Sequence, residues 1–108
     1  MPNLTSKQEE LYNALKGSLE KQTPVSIQYI VDGTLYPAVV VSQLSEPYLN
    51  GDNYAIDIEG TFTIQYINGK QETLFCENEK MYLEDWSLNN TKLHTLERMS
   101  KKQSILIF

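Results

Sequence analysis

Three dipeptides punctuate the middle of this chain: Asp32-Gly33, Asn50-Gly51 and Asn68-Gly69, their glycines falling at positions 33, 51 and 69, eighteen apart. Asp-Gly and Asn-Gly are strong hairpin signals, because these residues accept the positive φ that a tight turn demands. From Val25 onward apolar and polar residues alternate, the period of a half-buried strand. Evenly spaced turns between such strands predict an antiparallel meander of four strands over about 25–77. Two-residue loops at 32-33, 50-51 and 68-69 would fix the register. Tyr29 would then face Tyr36, Ile27 Ala38, Val25 Val40 and Gln28 Pro37. At the far end Tyr66 would face Gln71, Ile64 Thr73, Phe62 Phe75 and Thr61 Cys76.

Length makes these strands bend. The stretches 34–49 and 52–67 would each reach about 50 Å if straight, whereas a domain of this size has a radius of gyration near 13 Å. Ser45-Glu46-Pro47 and Gly60 are the expected bend points. A bent meander curls toward a small barrel or half-barrel. The stretches Ile27–Ile30 and Ile64–Ile67 both read IQYI. Their similarity ends outside these strands, so they read as one solution to strand burial reached twice.

Ahead of the meander, residues 6–20 predict a helix. Thr5 or Ser6 can cap it, with Gln8 or Glu9 completing a capping box. Leu11, Tyr12, Leu15 and Leu19 form its apolar stripe, and Thr23-Pro24 ends it. Past Cys76, residues 78–90 read as a strand from Lys80 to Leu88 or as a helical turn. A helix over about 91–100 and a last strand over about 104–108 follow. The fold class is α+β: one domain over 1–108, a helix on a bent meander, then a helix and a strand. Through Ile105–Phe108 the last strand would pair in its own sheet or in a second copy, which would give a homo-oligomer.

The net charge of −5 is unevenly spread. Residues 46–85 hold two lysines against nine acids, or −7, while 86–108 hold four cations against one acid, or +3. An acidic middle disfavours binding to phosphate backbones and suits a partner with a basic surface. With one cysteine there is no disulfide framework. No early apolar run suggests a secretion signal or membrane span, so the expected location is the cytoplasm.

Few residues suggest chemistry. His94 is the sole histidine, and Glu77 and Glu79 would raise the pKa of Cys76 rather than activate it. Asp57 and Glu59 share one strand face and are the candidates for a metal-assisted enzyme. No phosphate-cradling loop or dinucleotide fingerprint is present, and no cofactor is expected. Glu77, Glu79, Tyr82, Glu84, Asp85 and Trp86 combine acids with large aromatics, the composition of a docking surface. Tyr29, Tyr36, Tyr54 and Tyr66 are the candidate lining of a barrel that binds a small molecule or nucleotide.

The order of helix, PVSIQY, DGT, YP, NYAID and TFTIQYI resembles WYL domains, the ligand-sensing small barrels of bacterial regulators. It resembles Sm-type barrels equally, since these also open with a helix. The resemblance implies architecture alone. Asn53-Tyr54-Ala55 stands where a Trp-Tyr-Leu signature would fall, Met81-Tyr82-Leu83 comes later, and Arg98 is the single arginine. The leading expectation is therefore a non-enzymatic protein-binding module of bacterial or phage origin. It would dock to a partner as inhibitor, immunity or anti-defence proteins do.

Overall fold

The computed structural model describes residues 3–89, in the order α1 (Ser6–Lys21), β1 (Val25–Tyr29), β2 (Leu35–Leu44), β3 (Tyr48–Asn50), β4 (Asn53–Gln65), β5 (Gln71–Tyr82), a 3₁₀ turn (Leu83–Asp85) and β6 (Trp86–Leu88). The α+β class follows from one helix and six antiparallel strands. The expected helix over 91–100 and strand over 104–108 lie outside the described residues. No helix among the described residues is long and apolar enough to cross a membrane.

The capping box forms at Thr5. Its hydroxyl accepts from the Gln8 amide at 3.1 Å, and the Gln8 side chain accepts from the Thr5 amide at 3.0 Å. At the other end Gln22 turns left-handed with φ 55°, and its N–H donates back to the Ser18 carbonyl, which stops the helix before Pro24. Leu11 and Leu15 are fully buried and Tyr12 nearly so. The sequence pattern omits one buried position on this face. Ser18, a turn past Leu15, donates its hydroxyl to the Val39 carbonyl at 3.3 Å and accepts from the Val41 amide at 3.1 Å. Gln22 Nε2 donates to the Val41 carbonyl at 3.0 Å. Since β1 covers β2 only as far as Val39, helix side chains complete the strand beyond that point.

The three turns fall around the expected dipeptides, but each loop differs from the expected residue pair, and so do the registers. In each loop only the glycine takes positive φ, 79° at Gly33, 71° at Gly51 and 89° at Gly69, so none is the type I′ turn, which needs two such residues. Around Gly33 the loop runs Ile30–Gly33, with the Tyr29 amide donating to the Thr34 carbonyl and the Gly33 amide to the Tyr29 carbonyl. Asp32 instead accepts from the Thr34 amide at 2.9 Å, which holds its carboxyl below the usual range. Ile27 consequently faces Tyr36 and Gln28 faces Leu35, two residues from the expected register and on the same faces. At the second turn Asn50 pairs with Asn53, leaving Gly51-Asp52 as the loop. The third loop has three residues, Ile67-Asn68-Gly69, closed by the Tyr66 amide on the Lys70 carbonyl and the Gly69 amide on the Tyr66 carbonyl. Here the shift is one residue: Phe62 faces Leu74, Thr61 faces Phe75 and Gly60 faces Cys76. A slip of one exchanges the two faces. Phe75 is therefore turned to water, 63% exposed.

The bends fall where length requires them. The chain leaves the ladder at Ser45-Glu46-Pro47, so β2 and β3 lie in succession along one side of β4. At Gly60 the pairing shifts on both sides, Ser42 being extra in β2 and an additional residue standing between Cys76 and Glu79 in β5. Asn78 there takes φ 49°. A third irregularity in β2 brackets Pro37, which has no N–H to give to β4.

Across the sheet the order is β5-β4-β2-β1-β6. β5 at one edge connects to β6 at the other through only Leu83–Asp85, so the sheet is strongly curled. Those edges do not pair, so the sheet is open and the barrel closure expected from sequence is absent among the described residues. Of the stretch 78–90, residues 78–88 are strand, 3₁₀ turn and strand in succession rather than either alternative alone. Leu11 and Leu15 meet Ile27, Val39, Val41, Ile56, Ile58, Phe62, Met81 and Leu83 in one core.

Candidate functional site

Paired residues on neighbouring antiparallel strands point to the same face. Tyr29 is paired with Trp86, Ile27 with Tyr36 and Leu88, and Phe62 with Val39 and Leu74. All these side chains therefore share the inner face of the curl. The Trp86 ring lies 4.9 Å from that of Tyr29 and 5.2 Å from that of Tyr36, and Tyr36 meets Phe62 edge-on at 6.0 Å. Beside these rings, where β5 and β6 fail to meet, a cleft of about 190 Å³ opens. Its walls are Tyr36, Ile58, Phe62, Leu74, Cys76, Met81 and Trp86, with Glu79 and Lys80 on the β5 side.

Of the four tyrosines proposed as a lining, the fold brings together Tyr29 and Tyr36. Tyr54 stands near the start of β4, its hydroxyl accepting from the Asn3 amide at 2.9 Å. Tyr66 lies past the other end of β4, half exposed, donating to Glu72 at 2.6 Å. Nearly the whole length of β4, a strand of 13 residues, lies between them.

The aromatic-acidic cluster is divided as well. Glu79 and Trp86 flank the cleft. Tyr82 belongs to the opposite face, paired with Ala55 and donating to Asn50 at 3.3 Å. Asp85 is half-buried, its carbonyl accepting from the Ile30 amide, while Glu77 and Glu84 are exposed. The extra residue at Asn78 and the 3₁₀ turn break the alternation that would have kept the six together.

Asp57 and Glu59 do share the outer face of β4, alternating with buried Ile56 and Ile58. The Asp57 carboxylate accepts from the Tyr48 hydroxyl at 2.7 Å, which raises the pKa of that phenol. Among the described residues no three His, Cys, Asp or Glu side chains gather as a cation site requires. Burial first, and Glu79 second, push the Cys76 thiol above its ordinary value. His94 lies outside the described residues.

A surface that the sequence reading passed over runs along β5 and the adjoining loop. Leu74 on the inner face and Phe75 on the outer face of β5 are exposed, as are Tyr66 and Ile67 at the hairpin tip. Beside that tip a hollow of about 510 Å³ lies between Asp32–Leu35 and Ile64–Ile67, and Ile30 and Val31 stand exposed on the first loop. The signal was present: Leu74-Phe75-Cys76 is an unbroken apolar triplet on a strand, and strict alternation must leave part of it in water. Comparisons with protein families, with curated proteins and with solved structures return no match for this chain.

Proposed function

We propose that this chain is a non-enzymatic protein-binding module that docks through the outer edge of β5 and the hairpin tip beside it. The observation that carries this reading is Phe75, 63% exposed on an edge strand with Leu74, Tyr66 and Ile67 exposed nearby. Edge strands of soluble proteins are ordinarily blunted, so an edge that leaves large apolar side chains exposed on both its faces is the kind of edge a partner covers. Glu72, Glu77 and Glu79 lie on the same strand, within the segment of charge −7, so the partner is a protein with a basic surface rather than a nucleic-acid backbone. Docking of this kind is how an inhibitor or immunity protein works, and the cytoplasm is the compartment proposed for it. Of the six residues expected from sequence, Glu77 and Glu79 belong to this surface. Trp86 serves as a wall of the cleft behind it.

The test is capture by the tagged full chain, with Phe75→Asp and Leu74→Ser as comparisons and circular dichroism to verify folding. A protein retained by the wild type and lost with the folded variants supports the reading. Retention of the same proteins by all three overturns it.

The cleft supports a second reading, a site for a small planar ligand between Tyr36, Phe62 and Trp86. A thermal-shift screen of nucleotides and metabolites tests it, since a ligand selective for the native state raises the melting temperature.

A further inference from the structure

We infer that the partner binds by adding a strand: an extended basic segment pairs with Gln71–Cys76 of β5 and sets one apolar side chain into the cleft. This rests on the docking reading above and specifies its chemistry. β5 pairs with β4 alone among the described residues, so its outer side offers peptide groups without strand partners. The irregularity at Asn78 limits the regular stretch to Gln71–Cys76, about 20 Å of strand.

An added strand continues the pleat, with successive side chains on opposite faces. Those on the inner side fall beside Leu74 and Cys76, next to the cleft walled by Tyr36, Phe62 and Trp86. At about 190 Å³ that space accepts a single side chain of leucine or phenylalanine size. Glu72 shares the inner face through its pairing with Ile64, and Glu79 borders the cleft. Lysine or arginine two residues to either side of the anchor, on the same face, meets them. Main-chain bonds supply affinity in this mode, and the alternate side chains supply selectivity. A second copy of the chain is a poor occupant, because β5 against β5 sets Glu72, Glu77 and Glu79 against their own like charges.

The probe is a synthetic seven-residue peptide, Thr-Lys-Thr-Leu-Thr-Lys-Thr, whose two lysines and leucine share one strand face, added to the full chain while amide hydrogen exchange is followed residue by residue. Exchange within Gln71–Cys76 is expected to slow by at least about tenfold at saturation. A peptide with proline at its centre, which lacks one N–H, and a peptide with glutamate for lysine are each expected to bind at least about tenfold more weakly. Unchanged exchange in β5, or equal binding of the proline peptide, overturns strand addition. So does an edge already protected in the free chain. Protection independent of concentration assigns the edge to the chain's own Ile105–Phe108, and protection that grows with concentration assigns it to a second copy. A partner captured through Phe75 that leaves β5 exchange unchanged overturns strand addition alone and leaves the docking reading standing.

Discussion

Of the glycines, Gly60 alone has backbone pressed against the place of a side chain, and replacing it by alanine tests the account of the bend. A Cβ built there lies 2.2 Å from the Val40 carbonyl oxygen and 3.0 Å from Val41 Cα. Both obstacles are backbone, so no rotamer change relieves them. β2 must retreat by about 1 Å to restore van der Waals contact, which forfeits a large part of the dispersion attraction across the gap. The retreat also weakens the ladder where Val40 pairs with Thr61 and Val41 with Gly60. Two strained hydrogen bonds at about 1 kcal/mol each, with overpacking of about 2 kcal/mol, give a loss near 4 kcal/mol. For a domain of this size that lowers the melting temperature by roughly 15–30 °C. Urea denaturation followed by the fluorescence of Trp86, the single tryptophan, measures it directly. Gly17→Ala is the matched control: nothing lies within 4 Å of its added Cβ, and it sits inside α1. That variant is expected to gain about 0.5–1 kcal/mol. A Gly60→Ala midpoint within about 1 kcal/mol of wild type would refute the close-approach argument.

Three further outcomes are expected. Ser18→Ala strands the Val41 amide and the Val39 carbonyl, so urea unfolding should register a loss of about 2 kcal/mol, and an unchanged midpoint would mean that water replaces the hydroxyl. Tyr12 and Tyr36, chiefly by burial, and Tyr48 and Tyr66, chiefly by bonding to Asp57 and Glu72, hold their phenols above the ordinary value. A pKa raised in the folded state gives stability that is complete below the unfolded value of about 10 and is lost as pH rises through the folded value. The urea midpoint should therefore fall in alkali, less so in Tyr36→Phe; equal slopes would contradict this assignment. Native Cys76 should alkylate more slowly than a free thiol at neutral pH, and Glu79→Gln should quicken it, whereas a native rate equal to that of glutathione would contradict the raised pKa.

Local chemistry made the helix, its cap, the three turns and both bends legible in the sequence, because each depends on a few adjacent residues. Register was not legible. Asn68-Gly69 suits a two-residue loop and equally a three-residue loop in which glycine alone has positive φ. Only pairing over the whole of β4 and β5 decides between them. The run Leu74-Phe75-Cys76 could not arbitrate, since either register puts an apolar residue opposite Phe62. The site suffered from the same ambiguity: a shift of one residue moved Phe75 from its expected place opposite Phe62 to the exposed outer face, and one residue inserted at Asn78 split the acidic-aromatic cluster. Tyr29 and Tyr36 met as aromatic neighbours, but through Trp86, a residue assigned to the other candidate site.

The short link Leu83–Asp85 has a consequence in time. β4 and β5 are neighbours in sequence and can pair as soon as both have been synthesised. β1 is made near the start of the chain, yet one of its two partners, β6, is the last described strand. Pairing residue 27 with residue 88 closes most of the described chain into one loop, the kind of contact that slows folding. Until Trp86–Leu88 leaves the ribosome, one side of β1 stays bare and Tyr29 lacks the ring it packs against. A chain stalled before Trp86 would therefore expose an unprotected strand, and would aggregate more readily than one stalled a few residues later.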